Sequence, residues 1–314
     1  MKTLRIATRG SDLALTQARH IASRLEKELG CETELVVLRT TGDRIVDRPL
    51  AKIGGKGLFV KEIEEALVDG RADVAVHSAK DVPAGIAPGC VLAAYPERVD
   101  PRDALIAREE GASLVGLPPG SRVGTGSTRR VALLRAMRPD LEVVPLRGNV
   151  PTRLARVSED DLDAVILACA GLDRLGLAAE IDERISTDTM LPAIGQGRLA
   201  LETRADDEWF ARIGELESPE VGHVARAERA FQLALGGDCS IPIAGFAEWL
   251  DSDRLRIRGL VASLDGETIA RAERFGTTDL AEELGETLAH EVLEAGGREI
   301  LDEIADASAD EVGG

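Results

Sequence analysis

Hydrophobic positions follow two alternating periods along the first part of the chain. Short apolar runs at residues 4–8, 34–40 and 72–78 predict strands. Between them, apolar residues recur at helical spacing, as they do from Leu15 to Leu29, and this predicts helices. Strands that alternate with helices form βαβ units, so we expect an α/β domain with a mainly parallel sheet.

A second block of the same kind follows a segment rich in proline and charge at residues 95–105. Its predicted strands cover residues 122–126, 141–148 and 163–171, and its predicted helices cover residues 129–137 and 151–159. A further break rich in proline and glycine lies at residues 190–197. Because breaks flank this block on both sides, we expect the chain to leave a first domain, build a second one and return to the first.

The C-terminal part of the chain has a different pattern. Ser218 and Pro219 open a predicted helix as its N-cap and first position. Three strand-like runs follow, joined by turns that include the hairpin signal Asp265-Gly266, and residues 280–304 predict a final helix. We expect an α+β domain with a three-stranded antiparallel sheet. The predicted boundaries are residues 1–98 plus 197–216 for domain 1, 102–192 for domain 2 and 218–314 for domain 3.

Composition and charge exclude several classes of partner. The chain is 44% hydrophobic and 30% charged, which is typical of a soluble globular protein. Its formal net charge of −18 argues against binding nucleic acid or an anionic membrane through bulk charge. The N-terminal apolar stretch is too short for a signal peptide, no run approaches the ~20 apolar residues of a membrane span, and we expect a cytoplasmic protein. Its cysteines and histidines lack zinc-site spacings, so no metal is expected.

Five arginines lie where a predicted strand ends or a predicted helix begins: Arg9, Arg129, Arg130, Arg147 and Arg153. Free backbone N–H groups and helix dipoles attract anions at such positions, and a guanidinium group binds a carboxylate through two hydrogen bonds. Each arginine alone could instead pair with a surface carboxylate. In a parallel sheet, however, these turns gather at the carboxyl edge. Their shared position predicts a positive pocket for a ligand with several carboxylates or phosphates.

The stretch HSAKDVP, residues 77–83, ends a predicted strand with a lysine beside an aspartate. Inside a positive, partly desolvated cleft, Asp81 could stabilise a cationic intermediate or move a proton, and it could equally cap the turn at Val82. The glycine-rich residues 52–59 lack the Walker spacing, so they fit a mobile lid as well as a phosphate loop.

The stretch LGGDCSIP, residues 235–242, places Cys239 in a loop between a predicted helix and a predicted strand. A lone cysteine is usually a buried small hydrophobe, but here Gly236 and Gly237 let the backbone turn sharply and leave space around the sulfur. A cysteine hydrolase lacks an identifiable histidine partner. A non-catalytic two-lobed binding protein for an anionic metabolite accounts for the arginines, although it does not explain Cys239 or Asp81.

A series of motifs runs in order along the whole chain: LRIATRGSDLAL, PLAKIGGKGLFVKEIE, DVAVHSAKDVP, DPRDAL, VGTGSTRR, LRGNVPTRL, DAVILACAGLDRLGL, LPAIGQG and LGGDCSIPIA. This series closely resembles that of the porphobilinogen deaminases, a family also called hydroxymethylbilane synthases. The resemblance implies two α/β domains of the type II periplasmic-binding-protein kind, with a cleft between them and two crossover strands. It also implies a third, α+β domain that carries a cofactor cysteine.

The resemblance further implies a transferase reaction of tetrapyrrole (porphyrin, heme) biosynthesis. Four porphobilinogen molecules are deaminated and joined head to tail into linear hydroxymethylbilane (preuroporphyrinogen), with release of ammonia. The primer is one dipyrromethane cofactor per chain, made from two porphobilinogens and held by a thioether to the loop cysteine, here Cys239. We expect a monomer whose partner is the small-molecule substrate.

The family's site residues carry over at the matching motif positions. Each pyrrole bears an acetate and a propionate, which the basic residues would bind. The implied cofactor-binding residues are Ser78, Lys80, Asp81, Thr125, Ser127, Arg129, Arg130, Gly148 and Cys239. The implied substrate-binding residues are Arg9, Ser11, Lys56, Phe59, Arg147, Arg153, Arg174 and Gln196. Asp81 is the implied catalytic residue, because it would stabilise the positive charge that develops as ammonia leaves.

Two residues depart from the family pattern. The family usually has glycine before the cofactor cysteine, whereas this chain has Asp238, whose carboxylate disfavours the thiolate of Cys239. Gly126 stands where a serine is common, and we expect the loss of one hydroxyl contact there.

Overall fold

The computed structural model describes residues 3–44, 60–159, 162–236, 241–251 and 253–313. Within these ranges the chain forms two five-stranded mixed sheets and one three-stranded antiparallel sheet, all packed against helices. The predicted fold class, two α/β domains followed by an α+β domain, is confirmed. No helix in these ranges is long and apolar enough to cross a membrane.

Domain 1 holds the first sheet. Its strands are β1 (Leu4–Arg9), β2 (Thr33–Leu38), β3 (Val74–Ser78), β4 (Cys90–Ala94) and β10 (Leu199–Arg204). Its helices are α1 (Asp12–Leu29), α2 (Thr41–Arg44), α3 (Lys61–Val68) and α7 (Phe210–Gly214). The strand order is β2-β1-β3-β10-β4, and β10 runs antiparallel to both of its neighbours. This antiparallel strand arrives from domain 2.

Domain 2 repeats this arrangement. Its strands are β5 (Asp103–Ala107), β6 (Arg122–Thr125), β7 (Glu142–Pro145), β8 (Ala164–Ala168) and β9 (Glu183–Ile185), and its helices are α4 (Thr128–Met137), α5 (Val150–Glu159) and α6 (Cys169–Arg174). The order is β7-β6-β8-β5-β9, and β5, which arrives from domain 1, is antiparallel to both neighbours. Each sheet therefore contains one strand delivered by a crossover, which is the type II periplasmic-binding-protein arrangement. The exact domain boundaries stay a prediction.

Domain 3 is the α+β unit. It contains α8 (Pro219–Leu235), β11 (Ile243–Asp251), β12 (Arg254–Ala262), β13 (Ile269–Thr277), α9 (Ala281–Val292) and α10 (Arg298–Gly313). Ser218 caps α8 by accepting a hydrogen bond from the Val221 backbone, and Pro219 occupies the first turn. The single helix predicted over residues 280–304 is interrupted at Gly296, because its φ of 105° cannot belong to an α-helix.

A buried carboxylate ties the two crossovers to domain 3. Arg98 of the first crossover donates from Nε to the Gln196 carbonyl at 3.2 Å and from Nη1 to Glu228 Oε1 at 2.6 Å. Glu228, on α8, also accepts a hydrogen bond from the Gly195 backbone at 2.8 Å through Oε2. The hinge between domains 1 and 2 therefore lies directly against domain 3.

Two glycines let α8 pack closely on the sheet of domain 3. Gly245 on β11 and Gly259 on β12 are directly paired across the two strands. A Cβ at Gly259 would lie 2.4 Å from Cζ of Phe231, and one at Gly245 would lie 2.9 Å from Cδ1 of the same ring. The fully buried Phe231 therefore fills space that side chains on these strands would otherwise occupy.

Replacing Gly259 with alanine is expected to destabilise the protein by about 1–3 kcal/mol, because extra atoms in a filled core force the neighbours to shift. The urea concentration at the midpoint of unfolding should fall accordingly. Gly85→Ala is the matched control, since a Cβ there meets no atom within 4 Å. Equal midpoints for the two variants would contradict the close contact between Phe231 and β12.

Candidate active site

A cleft of ≈ 740 Å³ lies between domains 1 and 2. The basic residues in its wall are Arg9, Arg39, Lys80, Arg130, Arg147, Arg153, Arg174 and Arg198. Among the described residues, the acidic members of the wall are Asp12 and Asp81. The cleft is therefore positive inside a protein with a net charge of −18, and such a cleft concentrates anionic ligands.

Strand ends bring many of these residues together. Arg9 is the last residue of β1, and Ser11 then caps α1 by accepting a hydrogen bond from the Ala14 backbone at 3.3 Å. Ser78 ends β3, and its hydroxyl accepts a hydrogen bond from Nε2 of Gln17 at 3.1 Å. The predicted site residues that line the cleft are Arg9, Ser11, Ser78, Lys80, Asp81, Arg130, Arg147, Gly148, Arg153 and Arg174.

Lys80 and Asp81 lie side by side in a single helical turn directly after β3. Burial lowers the pKa of the Lys80 ammonium to about 8; Asp81 and Asp103 oppose that shift, and Arg130 and Arg129 add to it. Both residues are half-buried, and both line the cleft. A lysine with a lowered pKa and an aspartate therefore lie in the same turn of the cleft wall.

Arg130 is held by domain 2 rather than by solvent. It is 4% exposed, and its Nε and Nη2 donate to Oδ1 of Asp103 at 3.0 and 2.7 Å. Its Nη1 donates to the Ile166 carbonyl at 2.9 Å. A guanidinium group has five N–H donors, so two of them are not used by these bonds.

Arg129 and Gln196 do not line the cleft; both point at the same buried carboxylate. Arg129 donates from Nη1 and Nη2 to Asp103 at 2.8 and 3.2 Å, and from Nη1 to the Leu191 carbonyl at 2.8 Å. Gln196 donates from Nε2 to Oδ1 of Asp103 at 2.9 Å and to the Pro101 carbonyl at 2.7 Å. Burial alone would raise the pKa of Asp103, but Arg129 and Arg130 hold it well below its usual range.

Thr125 and Ser127 also lie outside the cleft wall, in the turn that leads to Arg130. Thr125 is 1% exposed, and its Oγ1 accepts a hydrogen bond from the Ser127 backbone at 3.4 Å. Ser127 caps α4 by accepting one from the Arg130 backbone at 3.5 Å. The two hydroxyls shape the turn that positions Arg130.

Gly126, in the same turn, leaves no space for a side chain in this backbone conformation. A Cβ built there would lie 2.4 Å from the Leu146 carbonyl oxygen. A serine there would therefore require the turn after β6 to move away from Leu146, the residue that follows β7.

In the same domain 2 wall of the cleft, Arg153 and Gly148 form a local unit. Arg153 donates from Nε to the Gly148 carbonyl at 2.7 Å, and Gly148 has a φ of 107°. Burial, together with Arg130 and Arg147, lowers the pKa of Arg153 to about 10. Several guanidinium groups thus share one wall, which favours an anion between them.

Arg174 donates from Nη2 to the Gly197 carbonyl at 3.0 Å. Arg174 belongs to α6 in domain 2 and Gly197 to the second crossover, so this bond joins the cleft wall to the hinge. Burial lowers the pKa of Arg174.

Sequence reasoning missed five polar residues of the wall: Asp12, Gln17, Arg39, Asn149 and Arg198. Arg39 directly follows β2, and this is the signal that identified Arg9. Asn149 precedes α5 in the same way. Gln17 lies inside α1 and Arg198 inside a crossover, and no local pattern marks either.

The predicted residues Lys56, Phe59 and Cys239, and Asp238 beside the cysteine, lie outside the described residues. The chain is described up to Gly236, which ends α8 in a left-handed conformation, and again from Ile241. The cysteines of the described ranges have deactivated thiols: burial raises the pKa of Cys31, that of Cys90 to about 11 and that of Cys169 to about 12. The same ranges contain no group of His, Cys, Asp and Glu side chains arranged to hold a metal ion.

The chain is similar to several known proteins. The family model "Porphobilinogen deaminase, dipyromethane cofactor binding domain" matches residues 4–212, and "Porphobilinogen deaminase, C-terminal domain" matches residues 223–294. The Porphobilinogen deaminase of Syntrophus aciditrophicus is 50% identical over 96% of this chain and 99% of its own. That of Nitratidesulfovibrio vulgaris is 49% identical over 99% of each chain. Among solved structures, a periplasmic substrate-binding protein of an ABC transporter from Coxiella burnetii is 15% identical, covers 72% of this chain and 96% of its own, and has a TM-score of 0.43.

The fold and the cleft define a two-lobed protein with a positively charged cleft between two α/β domains and a third, α+β domain. Within that class, the two porphobilinogen deaminase models together cover most of the chain, one over the two α/β domains and the other over the α+β domain. The chain belongs to the porphobilinogen deaminase family.

Proposed function

We propose that the protein is a porphobilinogen deaminase, a transferase that condenses four porphobilinogen molecules into linear hydroxymethylbilane and releases ammonia. The observation that carries this proposal is the pairing of Lys80 and Asp81 in a cleft whose other charged residues are almost all basic. Porphobilinogen bears two carboxylates and an amine, so the basic residues suit its side chains and Asp81 suits the cation that forms as the amine leaves.

The residues of the cleft fit a dipyrromethane cofactor, which bears four carboxylates. Lys80, Arg130 and Arg153 offer buried or half-buried positive charge, and Arg130 has two N–H donors beyond its bonds to Asp103 and Ile166. Ser78 and Gly148 also line the cleft and would add polar contacts to the cofactor. When bound, the cofactor supplies the pyrrole carbon to which the first substrate is joined, and Cys239 would hold it by a thioether.

The remaining residues would act on the substrate by binding and orienting it. Arg9, Arg147 and Arg174 would hold acetate and propionate groups, and Ser11 would donate a hydrogen bond at the N-terminus of α1. Asp81 would stabilise positive charge near the reacting carbon and accept the proton released when the new bond is complete. Lys56 and Phe59 would also contact the substrate.

Thr125, Ser127, Arg129 and Gln196 would support this site from behind, because their hydrogen bonds lead to Arg130 and Asp103 rather than into the cleft. We further propose that the protein is a cytoplasmic monomer. Its partner would be porphobilinogen alone.

The test is to incubate the purified protein with porphobilinogen and to measure both ammonia and the linear tetrapyrrole. We expect one ammonia released for each porphobilinogen consumed. A non-catalytic binding protein would bind porphobilinogen without releasing ammonia, and that result would overturn the proposal.

The pKa of Lys80 predicts a pH dependence for cofactor assembly. Lys80 is charged below its pKa of about 8 and loses its charge as the pH rises through that value. The experiment uses apoprotein made without porphobilinogen, and the increase in intact mass after porphobilinogen is added gives the rate of cofactor assembly. The contribution of the Lys80 charge to this rate should be lost above pH 8. Lys80→Arg is the matched control, because its guanidinium group stays charged over this pH range and every other titrating group is the same in both proteins. A wild-type to Lys80→Arg rate ratio that does not fall from pH 7 to 9 would contradict this role.

A further inference from the structure

The buried carboxylate of Asp103 lies behind the cleft and outside its wall. It is 0% exposed and accepts hydrogen bonds from Arg129, Arg130 and Gln196. Five N–H groups of these three side chains converge on its two oxygens. So many charge-assisted bonds to one group fix the positions of all their donors.

Of these donors, Arg130 alone lines the cleft. Its bonds to Asp103 use Nε and one N–H of Nη2, so they fix the plane of the guanidinium group. The bond from Nη1 to the Ile166 carbonyl completes this constraint. The N–H donors that remain on Nη1 and Nη2 therefore have a set direction before any ligand binds, and a preorganised donor loses less freedom on binding.

The same carboxylate is joined to the hinge. Gln196 belongs to the second crossover, and its Nε2 bridges Asp103 and the Pro101 carbonyl of the first crossover at 2.9 and 2.7 Å. The Gln196 carbonyl accepts from Nε of Arg98 at 3.2 Å. Asp103 is thus in contact with both connections between the domains and with one cleft arginine.

The charges of this cluster do not cancel. Arg129 and Arg130 face the single carboxylate of Asp103, and all three are almost fully buried. One positive charge is left beside the cleft wall. The charges of Arg129, Arg130 and Asp103 also act on Lys80 and change its pKa. A ligand carboxylate at Arg130 would neutralise that charge in a setting where water does so poorly.

We propose that Asp103 is a positioning residue that fixes Arg130 for the carboxylates of the pyrrole chain and links that arginine to the hinge through Gln196. This inference rests on the proposed function. Asp103 touches neither substrate nor cofactor; it acts through Arg130. Arg129 and Gln196 hold Asp103 in turn.

Asp103→Asn tests this role with little change in shape. The asparagine amide replaces one acceptor oxygen with a donor, so it repels an arginine N–H and frees the guanidinium group. We expect kcat/KM for porphobilinogen to fall by about ten- to a hundredfold, mainly through a higher KM, because small displacements of a positioning group have effects of this size. Asp100→Asn is the matched control: Asp100 binds Arg102 and Arg184 in the same hinge, and none of these three lines the cleft. Its KM should stay at the wild-type value.

A second readout separates positioning from simple loss of stability. Asp103 raises the pKa of Lys80, whereas Arg129 lowers it. In apoprotein, the rate of cofactor assembly should fall as Lys80 loses its charge. The pH at which this fall occurs should move down in Asp103→Asn and up in Arg129→Met. A purely structural role would reduce the melting temperature of both variants without moving this pH in opposite directions.

The outcomes are distinct. A wild-type protein that consumes no porphobilinogen would overturn the proposed function. An active wild type with a wild-type KM in Asp103→Asn would overturn the role of Asp103 alone. If Asp103→Asn does not fold, Arg129→Met decides, because Arg129 holds Asp103 and does not line the cleft: a raised KM supports the inference, and a wild-type KM overturns it.

Discussion

Asp81→Asn is expected to lower kcat for porphobilinogen by at least about 10²–10³-fold, because it removes the carboxylate placed to stabilise the developing positive charge. Asparagine keeps the size and shape of the side chain, and Asp81 makes no side-chain hydrogen bond within the described residues whose loss would disturb the fold. We therefore expect the variant to fold normally and to carry its cofactor. Single-turnover experiments that follow the increase in protein mass, as each porphobilinogen is joined to the cofactor, would measure the loss directly.

The control for this prediction is Asp12→Asn. Asp12 also lines the cleft, in the first turn of α1, and its removal changes the cleft charge by the same amount. If the chemistry depends on the position of Asp81, the Asp12 variant should keep most of its kcat. Equal losses in the two variants would mean that total charge, rather than Asp81, governs the reaction.

Cys239→Ser is expected to abolish both cofactor attachment and tetrapyrrole synthesis. A serine hydroxyl is not ionised near neutral pH and cannot form the thioether, so the chain has no covalent primer. The purified variant should have the mass of its amino-acid sequence alone. Its melting temperature should resemble that of wild-type apoprotein, because serine differs from cysteine only by an oxygen atom in place of the sulfur.

Cys90→Ser is the matched control for the cysteine prediction. Burial, together with Glu202 and Glu64, raises the pKa of the Cys90 thiol to about 11, so it is a poor nucleophile at neutral pH. This variant should retain the added mass and its activity. If the modification followed Cys90 rather than Cys239, the assignment of the anchor would be wrong.

The periodicity of the sequence was enough to predict the α/β and α+β organisation. Strand-then-helix patterns are local, and they survive in β1, α1, β6 and α4 with shifts of a few residues at their ends. Strand ends also predicted much of the cleft, because parallel strands carry the residues that follow them to one edge of the sheet. Arg9 and Arg147 reached the wall for this reason.

Long-range pairing could not be predicted in the same way. Nothing near Arg129 and Arg130 in the sequence indicates that Arg129 turns to Asp103 while Arg130 both binds Asp103 and lines the cleft. That division depends on where β5 lies beside β8, and β5 comes from a crossover. Gly296 interrupts the last predicted helix for a comparable reason: an amphipathic pattern does not report a single residue with positive φ.

The most direct test of the account is the intact mass of the purified wild-type protein, made in a host with normal tetrapyrrole synthesis. The account predicts the mass of the 314-residue chain plus one dipyrromethane, with that addition lost in Cys239→Ala. A wild-type chain with no added mass would contradict it.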